Sequence, residues 1–170
     1  MTLQRHHIVR SLVIILSYFV TGYAGIHLPY FGTSVTLIWP PAGIILAALV
    51  FWGWRYFPAV YIAAFLLNIV IADTLAAMIF VAAGTTAAAV IPALLITRFA
   101  RRFPFNGLRN ISVFLLFGGL LGPALAATFG AFLVSLFDIG HFDQYATWWL
   151  GWFKGDVVGV LVVSPLVLRL

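Results

Sequence analysis

From Ser11 to Trp54 the chain carries no Asp, Glu, Lys or Arg. A run this long without charge exceeds the roughly 20 residues that one helix needs to cross a bilayer. It must hold two membrane segments. They part at His27-Leu28-Pro29-Tyr30-Phe31-Gly32, where proline, glycine and polar residues gather. The remainder agrees. Of 170 residues, 64% are hydrophobic and 8% charged, against roughly 25% charged in a soluble chain. Thirteen charged side chains cannot cover the outside of a water-soluble globule of this size. The aromatic content excludes disorder. The absence of cysteine removes disulfides, thiolate metal sites and cysteine nucleophiles.

Breakers and charges divide the chain into six spans, near 9–28, 34–53, 57–72, 74–97, 111–137 and 146–168. Pro40-Pro41 suits a first helical turn, so it bends or delays the second. The third is short. The expected fold is an all-α polytopic bundle, one membrane-embedded domain over 1–170 with no soluble output domain. With these spans every arginine falls on one side, and Asp73, Asp138 and Asp143 fall on the other. The positive-inside rule then puts both termini in the cytoplasm. Arg5, Arg10 and the apolar run Leu12–Val20 also resemble a cleavable signal peptide. The run continues to Leu28, which favours retention of the first helix.

The net charge of +5 is not gathered into the basic patch that nucleic acid requires. Arg98, Arg101 and Arg102 read as topology anchors.

Helices in lipid associate through small residues that let backbones approach. The sixth span carries Gly151, Gly155 and Gly159 at four-residue spacing, and the fifth carries Gly118, Gly122, Ala126 and Gly130. Close contact of these two spans through their glycines is expected, with Pro123 kinking the fifth. Trp39, Trp52, Trp54, Trp148 and Trp149 fall near span ends and read as an interfacial belt.

Two charges lie inside a span, Lys154 and Asp156. Asp156 is roughly 12 Å deep, counted from Trp148 at 1.5 Å per residue. Ionisable groups at that depth mark functional positions unless paired or hydrated. Two residues apart, the pair points to opposite faces. Lys154 reads as a snorkelling anchor. Asp156 shares a face with Trp149, Trp152, Gly159 and Val163. It is either a structural hydrogen-bond hub or a ligand or proton site. Asn68, Thr85 and Thr86 read as interhelical glue. His27 and His141 lack ligand-spaced partners, and His6 and His7 read as solvated. The chain has no Glu, no phosphate loop and no hydrolase or metalloprotease motif. Neither enzyme nor cofactor is expected.

The expected binding site is a cavity between Trp39-Pro40-Pro41-Ala42-Gly43 and the Trp149–Asp156 face of the sixth span. Its candidate residues are Trp39, Pro40, Gly43, Asn68, Trp149, Trp152 and Asp156. A helix starting at Pro40 would offer free N–H groups to it. Trp39 and Trp149 both fall near the external side, so the site should open outward.

Several segments together resemble the type-1 membrane-associated sensor domain, a MASE family. Leu37-Ile38-Trp39-Pro40-Pro41-Ala42-Gly43-Ile44 followed by Trp52-Gly53-Trp54-Arg55-Tyr56-Phe57-Pro58-Ala59 is similar to its opening signature. So is Ala64-Phe65-Leu66-Leu67-Asn68. Trp148-Trp149-Leu150 through Gly155-Asp156-Val157-Val158-Gly159-Val160-Leu161 and Ser164-Pro165-Leu166 resembles its closing pattern. There are two departures. Where the family has Gly-Asn-Thr-Leu-Glu-Ala, this chain reads Gly84-Thr85-Thr86-Ala87-Ala88-Ala89. Family domains also run further past the Gly-Asp motif, so the resemblance covers the first part of such a domain.

The resemblance implies a bacterial inner-membrane sensory module. It would recognise a small molecule or partner and regulate an effector such as a diguanylate cyclase or histidine kinase, alone or as a homodimer. Six short helices rich in Gly and Ala also look like the substrate-binding component of a vitamin transporter, by fold analogy. A passive membrane anchor is the third reading.

Overall fold

A computed structural model describes residues 2–27, 38–72, 74–100, 105, 107–137 and 142–169. Among them there are helices and turns and no strand. The helices are α1 (Thr2–His27), α2 (Pro40–Trp52), α3 (Phe57–Ile71), α4 (Leu75–Phe99), α5 (Leu108–Phe137) and α6 (Tyr145–Arg169). The number matches the six expected spans. Five segments are long and apolar enough to cross a membrane, α3 together with the 3-10 turn before it.

The exception is α2. A span near 34–53 was expected, but the described helix begins at Pro40 and has 13 residues. At 1.5 Å per residue it is about 20 Å long, short of the roughly 30 Å hydrocarbon core. Gly53, at φ 100°, ends it. A 3-10 turn, Trp54–Tyr56, leads into α3. The Thr74 side chain accepts from the Ala77 N–H at 3.2 Å and caps α4.

Ring stacking fixes the hairpins. Phe80 near the start of α4 stacks on Phe137 at the end of α5, and Phe99 stacks on Phe117. These two helices are therefore antiparallel. Gly130 of α5 lies under the Trp152 ring of α6, which runs back again. Arg10 of α1 sits over Trp52, its centre 5.7 Å from the ring, and reaches the Tyr56 hydroxyl at 3.5 Å. This topology gathers Arg10, Arg55, Arg98, Arg109 and Arg169 at one end of the bundle, with Asp143 at the other. Arg101, Arg102, Asp73, Asp138 and His141 lie outside the described residues. His7 is exposed, as expected of a solvated residue, and it also has a partner. Its Nδ1 is 2.8 Å from the Tyr56 hydroxyl and its ring stacks on Tyr56.

The core sits where α1, α2, α3 and α4 meet, around Ile14, Leu49, Val60, Ala63, Leu67 and Ile96. Outward-facing Leu16, Phe51, Ile62, Phe80, Leu120 and Leu166 are exposed. Such a surface suits lipid and not water.

Pro123 acts through hydrogen-bond register. A proline cannot donate to the carbonyl four residues back, and its ring crowds that turn. Leu115–Leu121 forms a π-helical stretch just before it, and the Gly122 N–H bonds the Phe117 carbonyl five residues back. Short π segments are frequent at functional sites. This one borders the cavity described next.

Candidate functional site: a cavity beside a half-depth helix start

The first turn of α2 begins inside the bundle. The Trp39 N–H donates to the Gly155 carbonyl at 2.9 Å. Gly155 lies ten residues into α6, about 15 Å from its first residue. The expectation that Trp39 lies near the external side is thereby corrected: it sits at about half depth. In lipid, such a broken segment persists only when its backbone groups find partners. Here α6 supplies them. Gly159 has no side chain where the Trp39 carbonyl lies, and Gly43 has none where the Gly159 carbonyl lies. The buried Ser164 hydroxyl donates to the Gly43 carbonyl at 2.9 Å.

This changes the electrostatics expected of the helix start. Pro40 and Pro41 have no N–H to offer. The Trp39 donor is spent on Gly155, and the Ala42 N–H turns back to the Trp39 carbonyl at 3.2 Å. The free donor set expected at this N-terminus is therefore largely removed by its own sequence.

Beside the seam is a cavity of about 420 Å³, within the range of small-molecule sites. Its walls come from all six helices. Tyr18, Trp39, Trp148 and Trp152 supply aromatic surface, and Gly118, Gly122, Ala126 and Gly151 leave the room. The Trp39 side chain interacts with the Tyr18 hydroxyl. Asn68, Thr85 and Asp156 are further polar lining groups. Asp156 is 4% exposed. Its Oδ1 has no hydrogen-bond partner among the described residues.

Of the seven candidates, Trp39, Asn68, Trp152 and Asp156 line the cavity. Gly43 sits in the α2–α6 seam instead, and Pro40 opens α2 without lining the cavity. Trp149 turns away. Its indole N–H donates to the Thr128 hydroxyl at 3.0 Å and its ring stacks on Phe153. Helical phase alone does not explain this. Trp148, Gly151, Trp152, Gly155, Asp156 and Val160 of α6 line the cavity, and Val160, about 120° on from Trp148, is further round than Trp149 at about 100°. The contacts with Thr128 and Phe153 hold Trp149 aside. Trp148 and Trp39 are thus wall residues and not belt residues.

Tyr18 was not singled out from sequence. It is a polar aromatic in the middle of an apolar helix, and that was the available signal. The polar residues read as glue behave differently. Asn68 Nδ2 donates to the Ala64 carbonyl at 2.8 Å and the Thr86 hydroxyl to the Ala82 carbonyl at 2.7 Å. Both bonds stay within their own helix, where a carbonyl four residues back lies within reach of a short polar side chain. Among the described residues no cluster of metal-ligand type occurs.

The glycine expectation is corrected in part. Gly130 does seat α5 on α6, against the Trp152 ring. Gly122 faces Pro92 and the Ala88 carbonyl of α4, and Gly159 faces Trp39. Spacing along a helix does not tell which neighbour a small residue meets.

Compared with known proteins, the chain matches the family model MASE1, a membrane-associated sensor domain, over residues 10–170. No curated protein and no solved structure matches it.

Proposed function

The chain belongs to the MASE1 family of membrane-associated sensor domains, and from that premise we propose that the cavity is its input site. A MASE1 domain is a membrane sensor input domain, and this chain is a multi-pass membrane protein. In the proposed mechanism a small molecule enters beside Trp39 and Asp156 and shifts the bundle between two packings. An effector such as a diguanylate cyclase or histidine kinase reads the shift at the arginine-rich end. That end is proposed to be cytoplasmic, at a bacterial inner membrane, by the positive-inside rule.

The observation that carries this reading is the junction at Gly155-Asp156. One residue bonds the half-depth start of α2 and the next lines the cavity. Occupancy of the cavity therefore acts directly on the least continuous part of the fold. A ligand shifts an equilibrium only by its differential affinity for the two states, and a wall that includes a helix start supplies such a difference.

The test joins the chain, after Leu170, to a diguanylate cyclase catalytic domain in cells. Ala126→Leu, which narrows the cavity, should change cyclase output at equal membrane level. Output unchanged from wild type overturns the input-site reading. Reporter fusions after Leu170 and at Phe142–Gln144 should report cytoplasm and exterior respectively.

A further inference from the structure

The lining of the cavity is chemically lopsided. Among the described residues, Asp156 is the one carboxyl group that lines it, and no Lys, Arg or His does. Lys154, two residues earlier, is exposed on another face of α6. Asp156 is nine-tenths buried, and its Oδ1 has no partner among the described residues. A buried carboxyl oxygen left in this way costs free energy unless something brings it a donor. The protein brings none to Oδ1 among the described residues.

The cavity wall also carries aromatic surface. Tyr18 and Trp39 line it, with Trp152 about one turn from Asp156 along α6 and Trp148 about two turns away. The Trp152 ring is seated by Gly130, where a Cβ would stand 2.8 Å from its carbons. Aromatic rings attract positive charge through the ring quadrupole, most strongly for tryptophan. Inorganic cations are poorly served. Calcium takes six to eight oxygen ligands and magnesium near-octahedral oxygen coordination. One carboxyl group in a mostly apolar wall meets neither demand. The rest of the lining is alkyl: Leu46, Leu67, Ala88 and Val160 suit a hydrocarbon body.

We propose that the cavity takes a small protonated amine with an apolar body, its ammonium N–H donating to Asp156 Oδ1 and its charge lying against the tryptophan faces. This rests on the input-site reading and names the ligand class of that site. The α4 wall fits the assignment. Ala88 and Thr85 contribute a methyl group and a hydroxyl there, so a single positive charge faces a single carboxyl group.

Purified protein in detergent is titrated with 2-phenylethylammonium, and tryptophan fluorescence is followed. The uncharged isostere 2-phenylethanol and the anion 3-phenylpropionate are titrated in parallel. The amine should saturate and bind at least about tenfold more tightly than the alcohol, the margin that a charge-assisted hydrogen bond with cation–π contact supplies. The anion should bind more weakly than either. Asp156→Asn should abolish the amine-over-alcohol margin while the alcohol still binds. The wild-type comparison stands without any variant, so a failure of Asp156→Asn to fold leaves the test intact. Equal affinity for amine and alcohol overturns the proposal, as does absence of saturable amine binding. So does an amine preference that survives in Asp156→Asn. These outcomes leave the cyclase-fusion test untouched, and an unresponsive fusion with a tenfold amine preference would discard the input role alone.

Discussion

Two walls of α6 use small residues to opposite ends. On the side facing α2, Gly159 and Gly43 bring backbone onto backbone, and the Trp39 carbonyl fills the place of a side chain. On the side facing α5, Gly151 joins Gly118, Gly122 and Ala126 around open volume. Both walls of α6 carry glycine. The difference is what stands opposite. At the seam a helix start with its own backbone needs pushes in and is held by Gly155 and Ser164. Across the cavity α5 passes through its π turn ahead of Pro123, and among the described residues no helix start enters the gap. Small residues permit close approach, and only the partner decides whether approach occurs.

The seam is where a single atom should matter most. Gly159→Ala places a Cβ on the Trp39 carbonyl, a backbone group with no rotamer to escape into. We expect a loss of about 3 kcal/mol, the upper part of the usual range for overpacking. It should be read as a large fall in the melting temperature of detergent-solubilised protein. Gly43→Ala should do nearly as much, since its Cβ meets the Gly159 carbonyl. A wild-type melt for Gly159→Ala would mean that α2 is not docked as described, and the contrast between the walls would collapse.

The bundle itself was legible because it depends on length, hydropathy and charge. Ser11–Trp54 forces two segments whatever their partners, and the arginines at turns and ends mark one side of the membrane. The limits of α4 and α6 follow from Asp73-Thr74, Arg98, Asp143 and Arg169 in the same way. Depth was not legible for Trp39. Tryptophan favours interfaces, and only the bond to Gly155 shows this one at half depth. Counting i, i+7 from Asp156 leads to Trp149, and only its bond to Thr128 shows that it turns toward α5 and leaves the wall to Trp148. Pro40-Pro41 marks a helix start and at the same time removes two of the N–H groups that such a start would offer.

On the cavity side the expected signs reverse. Asp156→Leu removes a buried carboxyl group whose Oδ1 is unpartnered. In the absence of added ligand it should stabilise the bundle by about 2 kcal/mol, within the range for an unsatisfied buried polar group. A loss of stability instead would make Asp156 a strut for the bent segment, and the wall a structural one. Ala126→Leu adds methylenes toward open volume. It should be neutral or stabilising by up to about 1 kcal/mol, since cavity volume carries a cost. A clear drop in melting temperature would show this wall to be as tightly packed as the seam.

The smallest effect separates two kinds of hydroxyl. Ser17, Thr21, Thr86 and Thr97 each donate to the carbonyl four residues earlier in their own helix. Those bonds replace nothing between helices, and losing one should be nearly silent. Ser164 is different. Its hydroxyl is buried and reaches across to the Gly43 carbonyl at 2.9 Å, the residue whose lack of a side chain lets α6 come close. Side-chain hydrogen bonds between membrane helices average about 0.6 kcal/mol when measured by double-mutant cycles. Ser164→Ala should cost about that much in detergent, whereas Thr97→Ala, on the exposed face of α4, should cost less. The pair is to be compared at matched detergent by thermal melting, and then each combined with Gly43→Ala. Once Gly43→Ala has forced α2 away, Ser164→Ala should cost nothing further, because its acceptor has moved. Thr97→Ala should add its small effect unchanged. If Ser164→Ala adds fully to Gly43→Ala, the hydroxyl is not coupled to the seam, and α2 is held there by backbone contact alone.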